Sequence, residues 1–179
     1  MVLPLNLNPI SSPRQFKLLF NRNNQRSYGL KTSDSSVQRV IWTGTHLQVA
    51  GINYVAETSQ PRYLDFAYDL LDRPQIVWKT ITGEVKLYFY DTAIANYTTL
   101  NFGTIPDQPV IHNDYKLSGN NTILAYLKNQ YPYYRLQSDR YTFEYLWKNR
   151  QYQGIKGLGY ADGANTVSLI LGYPPIPQG

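Results

Sequence analysis

The chain has 179 residues, a formal net charge of +5, 17 tyrosines against 12 acidic residues, and no cysteine. The lack of cysteine excludes a disulfide framework and any thiolate-based metal or catalytic site. A chain of this length is most simply one domain that buries about 70% of the surface of its unfolded form. No apolar run approaches the ~18 residues of a membrane helix, so no membrane partner is expected.

The positive charge would suit nucleic acid, but the densest basic set, Arg14, Lys17, Arg22, Arg26 and Lys31, is spread through a segment patterned as strand and turn. A nucleic-acid footprint needs a clustered basic stripe. Solubilising charge on outward strand positions is the better account, and nucleic acid is not an expected partner.

Residues 1–15 form an expected extended arm. The stretch has no basic lead, and Pro4 and Pro9 break the apolar core that a secretion signal requires. The domain follows as 16–171, and residues 172–179, with Pro174 and Pro175, form a proline-rich tail that is poor ladder material. Two readings of these ends stand: frayed termini, or arms that order against neighbouring subunits.

Within the domain, Phe16–Phe20 reads as a strand and Ser27–Lys31 as another, with turn formers over Thr32–Ser36. Val37–Glu57 reads as a meander of three strands broken at Gly44 and Gly51. The segment Tyr63–Leu71 differs, because Tyr63, Leu64, Ala67, Tyr68 and Leu71 recur with helical spacing; it is the one short helix expected, with a strand as the alternative.

An internal repeat follows, over 72–112 and 119–155. Ile76 falls on Ile123, Tyr88 on Tyr134 and Tyr97 on Tyr141, a period of roughly 44 to 47 residues, in the range of sheet-built repeats. Each copy reads as three strands. In the first, Val85, Leu87 and Phe89 alternate with Lys86, Tyr88 and Tyr90; in the second, Tyr141, Phe143, Tyr145 and Trp147 alternate with Thr142, Glu144 and Leu146. One face is core and the other is rich in tyrosine. Glycines at Gly154, Gly157, Gly159 and Gly163 then read as a connection into a last strand, Thr166–Leu171. The expected fold is all-β, an antiparallel meander forming a sandwich or propeller-like sheets.

The search for chemistry is largely exclusion. His46 reads as an ordinary strand residue and His112 as a turn residue, with no third member of a triad in view. Asn113 and Asp114 beside His112 read as turn-closing side chains rather than cation ligands. The glycine set lacks the following helix of a phosphate site. Paired carboxylates, Asp65, Asp69 and Asp72, or Asp139 with Glu144, leave a glycoside-acting enzyme as a minor alternative. No enzyme, cofactor or metal is expected. What remains is tyrosine itself, crowded at Tyr131, Tyr133, Tyr134, Tyr141 and Tyr145. Tyrosine gives large contact area and a hydrogen-bonding hydroxyl at low entropic cost.

The run from Asn120 to Trp147 also resembles a pattern in structural proteins of tailed bacteriophages. The residues that carry it are Ala125, Tyr126 and Leu127, then Tyr133, Tyr134, Arg135 and Gln137, then Asp139 and Arg140; Ser138 departs from it. The resemblance implies a non-enzymatic virion component, of tail or neck, that forms a homo-oligomer and meets other virion proteins. It implies contact roles for Tyr88, Tyr90, Tyr133, Tyr134 and Arg135, and for Pro4, Pro9, Pro174 and Pro175 in the arms. The alternatives are a carbohydrate- or receptor-binding module that takes a host-surface glycan, and a capsid decoration protein.

Overall fold

The computed structural model describes residues 27–31, 33, 36–114, 121–152, 155–160 and 167–171. The expected arm, the strand at Phe16–Phe20, the tail, and Pro4, Pro9, Pro174 and Pro175 lie outside them. The described chain is all-β. Four strands, β1 (Ser27–Leu30), β2 (Val37–Trp42), β3 (His46–Val49) and β4 (Ile52–Ala56), make a first sheet; β5 (Tyr63–Tyr68), β6 (Pro74–Lys79), β7 (Glu84–Asp91) and β8 (Asn96–Thr104) make a second. A third holds β9 (Val110–Asp114), β10 (Asn121–Lys128), β11 (Tyr131–Leu136) and β12 (Tyr145–Leu146), and β13 (Ile155–Tyr160) pairs with β14 (Val167–Leu171). Every pairing is antiparallel and joins strands consecutive in the chain.

The short connections explain the meander. At Ala50–Gly51 both residues have positive φ, the two-residue turn whose twist matches a hairpin, and glycine makes the second position inexpensive. Asn129–Gln130 joins β10 to β11 in the same way, at φ 52° and 68°.

The second sheet lies between the first and the third. Leu64, Phe66, Tyr68, Ile76 and Trp78 pack on Val40, Leu47 and Val49 of the first sheet. From the opposite face, Ala67, Val77, Val85, Leu87 and Phe89 pack on Ile111, Leu124 and Tyr126 of the third. The leading strands β1, β5 and β9 run side by side through this stack, with β13 next to β9. Polar staples fasten the layers: Asp65, fully buried, accepts the Phe66 N–H at 2.9 Å and the Ile111 N–H at 3.0 Å. Glu57 accepts both Trp42 Nε1 at 2.8 Å, through its carbonyl, and Trp78 Nε1 at 2.9 Å, through its carboxylate.

Two-sided burial corrects the expected helix at Tyr63–Leu71. That segment is β5 followed by a turn, and Leu64 to Tyr68 are buried without a break. A strand covered on both faces loses its period of two, so a continuous apolar run can imitate helical spacing. β7 alternates as expected, with Val85, Leu87 and Phe89 inward. Ile76 and Ile123 each lie in the second strand of a sheet, and Tyr88 and Tyr134 each in the third. Ile76, however, faces the preceding sheet, whereas Ile123 faces away from it.

Three further differences are local. His112, Asn113 and Asp114 belong to β9 rather than to a turn. Gly157 and Gly159 sit inside β13 and pair with Ile170 and Ser168, so this stretch is a strand and not a connection. The expected strand over Tyr141–Trp147 shrinks to Tyr145–Leu146, because Arg140 and Tyr141 both adopt left-handed backbone and reverse the chain.

Leu87 has no exposed surface and sits in the layer between the second and third sheets. Leu87→Ala is expected to lower unfolding free energy in urea by about 2–5 kcal/mol, while Ile94→Ala, at a position 57% exposed, stays within about 0.5 kcal/mol of the parent.

Candidate functional site

The reversal after β11 brings three exposed large apolar side chains, Phe143, Tyr145 and Leu146, into one stretch of chain. A 3-10 turn at Gln137–Asp139 leads into Arg140 and Tyr141, at φ 58° and 59°. Left-handed backbone is costly outside glycine, about 1–2 kcal/mol per residue, and several contacts hold it here. Arg140 donates from Nε and Nη2 to Asp91 at 2.9 and 2.5 Å. Tyr141 is buried between the second and third sheets, edge-on to Phe89, with its hydroxyl donating to Gln75.

Arg135 clamps the same reversal. Its Nη1 donates to the carbonyls of Tyr141 at 2.8 Å and Thr142 at 3.0 Å, its Nε donates to the Tyr126 hydroxyl at 2.7 Å, and its plane lies 5.0 Å from the Phe102 ring. Glu144 completes the network, accepting from Tyr126 at 2.5 Å and Lys128 at 2.8 Å. Burial alone would raise the Glu144 carboxyl, but the bonds from Lys128 and Tyr126 outweigh it and hold the group below the usual carboxylate range. Burial, reinforced by the bond to Glu144, pushes the Tyr126 hydroxyl up.

The returning chain places β12 at the outer edge of the third sheet. Tyr145 stacks on its cross-strand partner Tyr134 with centroids 5.1 Å apart, and Trp147 meets Tyr134 edge-on at 5.1 Å. The Tyr145 hydroxyl donates to Asp139 at 2.9 Å. Phe143, just before β12, is 60% exposed, and Leu146, 45% exposed, pairs with Tyr133 and so faces the other side of β12 from Tyr145. An edge strand flanked by exposed apolar side chains is a site primed for association.

The residues read from the sequence distribute unevenly around this ledge. Tyr134 is on it. Tyr133 points to the other side of β11, packed against the core shared with the second sheet, with Lys128 Nζ 5.7 Å from its ring. Arg135 is half-buried, its guanidinium spent on the clamp. Tyr88 and Tyr90 belong to a separate half-buried cluster: Tyr88 stacks on Tyr97 at 4.7 Å, Tyr90 meets Tyr97 edge-on at 5.3 Å, and Arg73 covers Tyr90 at 4.1 Å. The first sheet contributes Tyr54, whose ring lies 6.2 Å from Tyr88. Phe143 and Leu146 escaped the sequence reading because a regular strand would have given them alternating burial.

The carboxylates serve the backbone. Asp69 accepts the N–H groups of Leu71 and Arg73 and the Arg73 side chain at 2.7 Å, closing the β5–β6 turn. Asp72, at φ 56°, accepts the Ser33 N–H at 3.3 Å. His46 bonds the neighbouring Thr45 hydroxyl at 2.9 Å, and buried His112 donates from Nδ1 to the Asn113 carbonyl at 2.7 Å. Among the described residues no group of three metal-ligating side chains occurs, and no helix is long and apolar enough to cross a membrane. Compared with known proteins, the chain matches no family model, no curated protein and no solved structure.

The Asp91 carboxyl, which burial would raise, is likewise held low by Arg140 and the Ala93 N–H. Depressed folded values make the stability from Asp91 and Glu144 fully present above the unfolded range, near pH ~4, and lost as pH falls through the folded values. The thermal midpoint is therefore expected to hold from neutral pH to about 4 and then drop. Glu144→Gln should make that acid limb shallower, and an identical limb in the variant contradicts the assignment.

Proposed function

We propose that the protein is a non-enzymatic structural component of a phage virion, of its tail or neck, that assembles with further copies of itself through the edge of its third sheet. The observation that carries the assembly reading is the grouping of Phe143, Tyr145 and Leu146, all exposed, on and beside the outermost strand of a sheet. Burying such side chains against a neighbour gains roughly 25 cal/mol per Å² of apolar surface, and the aromatic members supply the rigid contact area favoured at interface centres.

The virion placement rests on the resemblance to tailed-phage structural proteins. Its residues, Ala125 to Leu127, Tyr133 to Arg135, and Asp139 with Arg140, fall on β10, β11 and the reversal, the three parts that set β12 at the edge. In this reading Arg135 and Arg140 act by shaping the edge, and Tyr134 and Tyr145 act by touching the partner. In this reading the edge meets a different patch on the neighbouring copy, a heterologous contact that closes into a ring by rotation.

Light scattering of the full chain across a concentration series tests this. A defined oligomer is expected, and Phe143→Ser combined with Leu146→Ser should shift its dissociation midpoint at least about tenfold upward in concentration, a loss of about 1.4 kcal/mol. A parent chain that stays monomeric throughout, or a double variant that assembles like the parent, overturns the reading.

A further inference from the structure

We propose that the concavity at the β10–β11 hairpin end of the third sheet binds a neutral saccharide. Three segments build it: Pro106 and Asp107 from the β8–β9 connection, Leu127, Asn129 and Gln130 from the hairpin, and Tyr152 from the chain after β12. Its volume is about 350 Å³, within the ~300–1,000 Å³ of small-molecule sites and suited to a mono- or disaccharide. It shares no residue with the aromatic ledge and does not depend on the assembly reading.

The walls are held from outside the site. Lys79 reaches over from the second sheet and donates from Nζ to the Pro106 carbonyl at 2.7 Å. The Tyr152 N–H donates to the Gln130 carbonyl at 2.8 Å, which ties the aromatic wall to the turn. Asp107 accepts the Gln108 N–H on Oδ1 at 2.8 Å, while its Oδ2 is enclosed and has no hydrogen-bond partner among the described residues. Asn129 and Gln130 are exposed, so their side-chain amides are open to a ligand.

The chemistry of the lining selects the ligand class. A sugar ring offers an apolar C–H face and a rim of hydroxyls, each able to donate and accept. Tyr152, Pro106 and buried Leu127 supply an apolar wall and floor, and tyrosine adds a polar tip. The two amides donate and accept, and the carboxylate accepts. No lining residue is cationic, and Lys79 is already committed to the loop. The Lys79 charge faces Asp107 and is balanced by it, so an acidic sugar or a phosphate would find no cation in the lining to pair with, which favours a neutral ligand.

Ligand-observed saturation-transfer NMR on the full chain, with methyl glycosides of neutral hexoses and N-acetylhexosamines, tests the site beside sialylated and uronic-acid glycosides. Saturation transfer to at least one neutral glycoside is expected, stronger than to any acidic one. Tyr152→Ala and Gln130→Gly should each weaken it roughly tenfold, with the thermal midpoint unchanged. Glycine suits the positive φ of Gln130, so that variant reports on the amide and not on the turn. No transfer to any neutral glycoside, preference for the acidic ones, or undiminished binding in both variants overturns the proposal.

Discussion

Burial of β5 and β6, the leading strands of the second sheet, on both faces is the constraint on which the rest of the structure depends. β5 and β6 carry few polar side chains, and two of these are tied to the third sheet and the reversal after it: Asp65 accepts two backbone N–H groups, one of them from Ile111, and Gln75 Oε1 accepts from the Tyr141 hydroxyl, while Gln75 Nε2 has no partner among the described residues. Such a sheet is insoluble alone and must recruit a layer on each side. The first sheet supplies Val40, Leu47 and Val49, and the third supplies Ile111, Leu124 and Tyr126. The third sheet, once recruited, carries its own outward apolar face, Val110, Ile123 and Ala125, beside Tyr134, Leu136 and Trp147. The aromatic ledge is thus the far consequence of a core that begins at β5.

From that core the site follows through a short chain of contacts. Tyr141 is the plug that joins them: buried in the layer between the second and third sheets, it forces the backbone after β11 into a reversal. Arg135 and Arg140 hold the reversal from two sides, one through carbonyls and Glu144, the other through Asp91. The strain of consecutive left-handed residues is offset by packing that is already needed for the core. The result is an edge strand of two residues, with Phe143 before it and Leu146 within it left exposed while Trp147 after it packs on Val110, Ile123 and Ala125.

Much of this was legible in the amino-acid sequence wherever a strand has one wet face. β7 alternates because Lys86, Tyr88 and Tyr90 face a thin cover, and the turns at Gly44 and Gly51 announce themselves by residue type. It failed where the environment departed from that pattern. β5 is buried throughout and imitates a helix, and β9 hides His112 and Asn113 that a polar pattern assigns to a turn. Glycines within β13 likewise disguise a paired strand. The ledge was half legible: Tyr134 was marked by tyrosine density, but nothing local distinguishes the clamping role of Arg135 from an exposed contact, since its partners are Tyr126 of β10 and Tyr141, Thr142 and Glu144 of the reversal. The saccharide concavity draws on three separated segments, which no motif spacing reveals.

Amide hydrogen exchange read by mass spectrometry at a low and a high protein concentration tests the central claim most directly, that a doubly covered sheet supports an edge left open for a neighbouring copy. The account predicts slowest exchange in β6 and β7 at both concentrations, and fast exchange around β12 at low concentration that becomes slow at high. Exchange at β12 that ignores concentration, or β6 and β7 exchanging as fast as β12, would contradict it.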